Sequence, residues 1–216
     1  MSLHVLAIDT TGDAGSIALA GERGLIEEVV LRSPDGFAHV LFDEIELLLE
    51  RHGLDVWKMD AFAAASGPGS FTGVRVGLTA AKGLAEATGR NVIAVSNLQA
   101  LAWYGSRPLR GVVLDARRGE VYGGVYDNQL QLVQEEVVAQ LPAWLASLPP
   151  GEPEIVTQGF SLGETAGPVI QAPKALAAAI SRIAIARLLS GDVKDPAEID
   201  ANYVRRSDAE LLWKDR

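Results

Sequence analysis

The sequence predicts a duplicated α/β fold with two subdomains, each a three-strand meander followed by alternating helices and strands. An apolar run ending in aspartate occurs twice, as Val5-Leu6-Ala7-Ile8-Asp9 and as Val112-Val113-Leu114-Asp115. In both places the next strand begins seven residues beyond the aspartate, at Ser16 and at Tyr122. The copies are separated at Gly105-Ser106-Arg107-Pro108, where glycine and proline end the preceding helix.

In the first copy, residues 5–9, 16–20 and 25–31 are short apolar segments bounded by turn residues, which reads as three strands. Residues 38–52 repeat apolar side chains at helical spacing. Phe62 to Ala65 is too short for a helix and reads as a buried strand, and Gly67-Pro68-Gly69 as a tight turn. Ser70 or Thr72 supplies the N-cap of a helix that starts near Gly73 and runs to Thr88. The second copy repeats the order with strands at 112–115, 122–126 and 131–138, a helix at 142–148, a strand at 154–157 and a helix at 174–190. Residues 148–153 and 159–173, rich in glycine and proline, read as loops. The tail from Pro196 has Ile199, Tyr203 and Val204 as anchors before a charged end. This order is that of a ribonuclease H-like unit, and two such units make the architecture of actin-like ATPases, sugar kinases and Hsp70. The expected subdomains are 1–106 and a smaller 107–216, with the tail from about 196 free to pack back on the first.

The chain has 216 residues, 48% of them hydrophobic, enough for a sizeable core. No apolar run approaches the roughly 20 residues of a membrane span, and the sequence enters Leu3-His4-Val5 without a basic leader, so a cytoplasmic chain with no membrane attachment is expected. The absence of cysteine excludes disulfides and thiolate chemistry. A net charge of −9 with scattered basic residues argues against autonomous nucleic-acid binding. The tightest basic pairs are Arg117-Arg118 and Arg205-Arg206. Three histidines with no convincing ligand spacing predict no metal site; His39 and Asp43 read as a surface pair on a helix.

Two readings stand for the polar residues at the strand ends. Asp9, Thr10 and Thr11, with Ser70 and Thr72 at a helix N-terminus and Asp115 in the second copy, are the candidates for contact with a nucleotide or another anion. Against this, the glycine block matches neither G-x-G-x-x-G nor the P-loop spacing, and Thr10 stands where a phosphate-binding turn would carry glycine. The alternative is structural: Asp9 ends a strand, and the hydroxyls satisfy turn N–H groups.

The helices have more apolar surface than one buried stripe requires. In residues 38–52 one face holds Leu41 and Leu48, while Val40 and Leu47 lie almost opposite. Residues 73–88 have Val74, Val76 and Leu78 with small residues over more than half the circumference. A surface helix needs a stripe of roughly 100°. Either the two helices bury each other, or they present a patch to a partner made of Val40, Leu41, Leu47, Leu48, Val74, Val76 and Leu78. On the second reading a charge at Val76 or Leu41 weakens partner binding.

Five blocks together resemble, in order and spacing, the bacterial TsaB (YeaZ) family: Leu6-Ala7-Ile8-Asp9-Thr10, Gly67-Pro68-Gly69-Ser70-Phe71-Thr72-Gly73-Val74-Arg75-Val76-Gly77, Ala94-Val95-Ser96-Asn97-Leu98, Asp115-Ala116-Arg117-Arg118-Gly119-Glu120-Val121-Tyr122 and Tyr203-Val204-Arg205. The resemblance implies a non-catalytic subunit in synthesis of threonylcarbamoyladenosine in tRNA. It implies docking on a TsaD-like catalytic subunit, association with a TsaE-like ATPase, a homodimer when alone, and tRNA contact mainly through the complex. It implies no intrinsic cofactor, with ATP or ADP held at a subunit boundary. TsaD-like chains carry a His-x-x-x-His metal-ligand pair in the aligned segment, where this sequence has Asn97 and Leu101; leucine has no lone pair to donate, so that metal site is not expected. The competing expectations are a small-molecule phosphotransferase using Asp9 and Asp115, and a peptidase acting on its own partner.

Overall fold

A computed structural model describes residues 3–159, 161–162, 169–202 and 204. Tyr203, Arg205 and Arg206 lie outside the described residues. In chain order the elements are β1 (His4–Asp9), β2 (Gly15–Gly21), β3 (Gly24–Leu31), α1 (Leu41–Arg51), β4 (Ala61–Ala65), α2 (Phe71–Thr88), β5 (Asn91–Val95) and α3 (Asn97–Ala102). They continue as β6 (Leu109–Arg117), β7 (Glu120–Asp127), β8 (Leu132–Gln140), α4 (Leu141–Ala146), β9 (Glu154–Thr157), β10 (Val169–Gln171) and α5 (Ala177–Ser190).

The chain forms two compact units, Met1–Ala100 with Lys174–Ala201, and Leu101–Pro173 with Asn202–Arg216. The first contains a five-stranded sheet in the order β3-β2-β1-β4-β5, antiparallel across β1, β2 and β3 and parallel from β1 through β4 to β5. The second repeats it as β8-β7-β6-β9-β10 with the same polarities. The duplicated ribonuclease H-like architecture is therefore present strand for strand. β5 and β10 are the two strands the sequence reading did not mark, and β10 is only three residues long in a glycine- and proline-rich stretch.

Alternation along the first sheet sorts its side chains by size. Leu6, Ile8, Ile17, Leu19 and Phe62 point to the face covered by α1 and α2, where they form one core with Leu41, Ile45, Leu48, Leu49, Val74 and Leu78. The intervening positions Ala7, Ala18, Ala20, Ala61, Ala63 and Ala65 are buried on the other face. α5 packs against β1, β2 and β4, and its own buried residues include Ala177, Ala179 and Ala184, so small side chains on both surfaces allow a close approach. α5 has no side-chain cap at Leu176. Instead Ser16 Oγ accepts from Ala177 N at 3.0 Å, and Glu28 Oε1 accepts from Ala178 N at 2.8 Å. Two strands thus cap the helix, and the Glu28 carboxylate meets the positive end of its dipole.

The expected second subdomain, 107–216, therefore gives up residues 174–201 to the first unit. α5 belongs to the first unit, because the alanine face of the first sheet is the surface its own alanines fit. The chain then continues along the same unit: Lys194 bridges to Val92 of β5, Lys82 Nζ donates to Ile199 O at 2.8 Å, and Ile199 is buried in the α1 and α2 core.

The second unit is built around Trp144 of α4, which packs with Val113, Val121, Ile155 and Leu162. Gly123 of β7 is required here, since a Cβ would overlap the Trp144 indole nitrogen. Among the described residues, no helix is long and apolar enough to cross a membrane.

Candidate functional site

The glycine block does close on the end of β1, and the chemistry there is packing. Ser70 is the N-cap of α2, its Oγ accepting from Gly73 N at 3.3 Å, so the helix begins at Phe71 and not near Gly73. A Cβ on Gly73 would overlap the Thr10 carbonyl oxygen, and one on Gly77 would lie 2.7 Å from Thr10 Oγ1. Thr10 Oγ1 donates to Gly73 O at 2.6 Å. These glycines let α2 lie directly on the strand end.

Asp9, Thr10, Thr11 and Ser70 are brought together, while Thr72 sits exposed in the first turn of α2. Asp9 is buried, and its Oδ1 accepts from Thr11 N at 2.9 Å and from Thr11 Oγ1 at 2.6 Å. Burial pushes its carboxyl pKa up, partly opposed by the Thr11 bonds, while the field of Glu28 raises it further. Asp115 differs: it is exposed in the second unit, and its Oδ1 accepts from Arg117 N at 2.7 Å. It supports a tight turn in which Arg117, Arg118 and Gly119 all have positive φ.

Asn97, read in the sequence only as the replacement of a histidine, is the residue whose role was missed. Its Nδ2 donates to Thr11 Oγ1 at 2.5 Å, its Oδ1 accepts from Gly67 N at 2.9 Å, and its N donates to Gly67 O at 2.8 Å. Leu101 is fully buried. Asn97 stands 30 residues from Gly67 in the chain, so no local pattern pointed to the clasp. Among the described residues, no group of three or more His, Asp or Glu is placed to hold a metal ion.

The apolar helix surface is smaller than periodicity alone implied. Leu41, Leu48, Val74 and Leu78 are core residues of the first unit and cannot meet a partner, and a charge at Leu41 would disrupt folding before it tested docking. Leu47 is 49% exposed, while Val40 and Val76 are half-buried. The structure adds Phe42, 55% exposed, and Phe71, 45% exposed, with the Arg75 guanidinium 3.8 Å above its ring centroid. The outer face of α1 thus reads Phe42, Asp43, Glu46, Leu47 and Glu50, two apolar side chains flanked by three carboxylates. On α2 the exposed positions include Thr72, Thr79 and Gly83, small enough to admit another helix closely.

Comparison with known proteins agrees with the fold. A family model for TsaD, tRNA N6-adenosine threonylcarbamoyltransferase, matches residues 35–198. That match covers more than half of the chain and places it in the TsaD-like class. Within it the chain is 34% identical over 151 residues to the TsaB protein of Bacillus subtilis, a match covering 68% of this chain and 66% of that protein. It is 40% identical over 142 residues to TsaB of Haemophilus influenzae, covering 63% and 56%. The matched stretch spans between about half and two thirds of these curated relatives. The structure of YeaZ from Pseudomonas aeruginosa superposes with a TM-score of 0.80 at 26% identity, covering 93% of this chain and 99% of that one. The chain belongs to the TsaB (YeaZ) family.

Proposed function

We propose that this chain is a non-catalytic subunit in the synthesis of threonylcarbamoyladenosine in tRNA, docking on and activating a TsaD-like catalytic subunit. Its curated relatives are named as proteins of that biosynthesis. The observation that carries the docking role is the exposed set Phe42, Leu47 and Phe71 on two helices whose other large apolar residues are buried or, like Val76 and Leu84, partly buried. Carboxylates around Phe42 and Leu47 favour a partner with an apolar patch edged by Lys or Arg. The same face serves a homodimer when the partner is absent, and a TsaE-like ATPase and tRNA join through the complex. The phosphotransferase reading is less well supported, since Asp9, Thr10 and Ser70 are committed to internal hydrogen bonds.

The test is gel filtration of the TsaD-like subunit mixed with wild-type chain, Phe42→Asp or Leu47→Asp, alongside the threonylcarbamoyladenosine content of tRNA in cells holding each variant. Loss of the complex and of the modified nucleoside, with unchanged folding of the isolated variants, is expected. A full complex with both variants would overturn the assignment of this face.

A further inference from the structure

One buried network remains once docking is assigned to the outer faces of α1 and α2. The hydroxyl proton of Thr11 is committed to Asp9 Oδ1 at 2.6 Å, so Thr11 Oγ1 has only lone pairs left for Asn97 Nδ2 at 2.5 Å. That fixes the Asn97 amide with Oδ1 toward Gly67 N at 2.9 Å, while Asn97 N holds Gly67 O at 2.8 Å. The Thr11 carbonyl takes Ser70 N at 2.8 Å. Asn97 also gives a side-chain hydrogen bond to Asp9 itself, so the carboxyl group meets the amide both directly and through Thr11. In a water-poor interior such a relay is worth more than isolated pairs. Ser70 is the cap of α2, and Phe71 and Arg75 stand in the first turns beyond it.

We propose that Asp9 is a positioning residue whose carboxylate, acting through Thr11 and Asn97, fixes the turn of residues 67–70 and thereby the placing of Phe71 and Arg75 at the head of α2. This rests on the reading of that surface as a docking face. Burial raises the Asp9 pKa, the Thr11 and Asn97 hydrogen bonds oppose this in part, and the charge of Glu28 on β3 raises it further. The carboxylate is thus kept at a cost that an asparagine would avoid, and protonation, which relaxes the relay, sets in at a higher pH than for an ordinary aspartate.

Amide NMR of the isolated chain through the acid range, with the Asp9 carboxyl carbon followed in parallel, tests this. The Gly67 and Ser70 amide resonances are expected to move with the Asp9 midpoint, and Asp9→Asn to flatten both profiles. Thr11→Val should leave Asp9 titrating while Gly67 follows it with a clearly smaller amplitude, since only the direct Asn97 contact remains, and Thr11→Ser should restore the full coupling. A Gly67 amide that ignores the Asp9 titration, or that follows it equally in Thr11→Val, would overturn the proposal. Docking is read separately with Phe71→Ala, expected to weaken binding of the TsaD-like subunit by about tenfold through loss of an aromatic anchor. Wild-type affinity for that variant would sink the docking reading while leaving the relay result intact.

Discussion

The two units share every strand pairing and differ in how their sheets are covered. The first sheet is enclosed by long helices on both faces, with bulky residues toward α1 and α2 and alanines toward α5. The second has the six-residue α4 and relies on one tryptophan for much of its core, while its edge strand β8 keeps Leu132, Val133 and Val137 exposed. Copies of one topology can therefore solve burial differently. Side-chain size on alternate strand positions, more than strand order, decides which helix a sheet receives.

The sharpest way to break this comparison is Trp144→Ala, which removes the centre of the second core and should cost about 3–5 kcal/mol in a denaturant melt. A much smaller loss would mean that this core does not depend on the indole. Next is Ala63→Leu, which inserts bulk between the first sheet and α5 and should destabilise by about 1–3 kcal/mol. Similar stability in the variant would show that the α5 contact is looser than the alanine face implies. Ser16→Ala removes an acceptor for the α5 N-terminus, and a loss of about 1 kcal/mol is expected from urea titration. Leu47→Asp should change folding stability by no more than about 0.5 kcal/mol, because its side chain is on the outside. The neighbouring Leu48 is buried and would not tolerate the same change.

Acid titration separates the units by sign. Burial raises the Asp9 pKa in the first unit, so its stabilising contribution is complete below the unfolded carboxylate pKa and is lost as pH rises through the folded one. Asp9→Asn should remove that loss and stabilise the chain at neutral pH. In the second unit burial also pushes Glu154 up, but the N–H and hydroxyl of Ser106 and the N–H of Arg107 outweigh it and hold the pKa below the usual range. Its contribution is present above the unfolded pKa and fades as pH falls through the folded one, so Glu154→Gln should flatten the acid limb of a thermal-melt series. Identical pH profiles for the two variants would contradict the contrast.

Much of the fold was legible because apolar runs of four to nine residues ending in aspartate or glycine leave few alternatives to a strand. What the sequence hid were contacts between distant residues. The caps of α5 come from Ser16 and Glu28, far from Leu176 in the chain, so neither the helix start nor its unit could be read locally. Periodicity showed that α1 and α2 are broadly apolar, yet only packing reveals that Leu41, Leu48, Val74 and Leu78 are enclosed and that Phe42, Leu47 and Phe71 are not. The Asp9 and Thr11 pair was visible as chemistry, but Asn97, which engages Thr11 and Gly67, carried no motif of its own.

Because α5 returns to the first unit, residues 101–173 of the second unit are inserted within it. A nascent chain leaving the ribosome would present the alanine-lined side of the first sheet uncovered until residues beyond 190 emerge, long after β5 is made. Completion of the first unit therefore waits on synthesis of α5, and a truncated product lacking that helix would expose the apolar, alanine-lined face of the first sheet to chaperones and proteases.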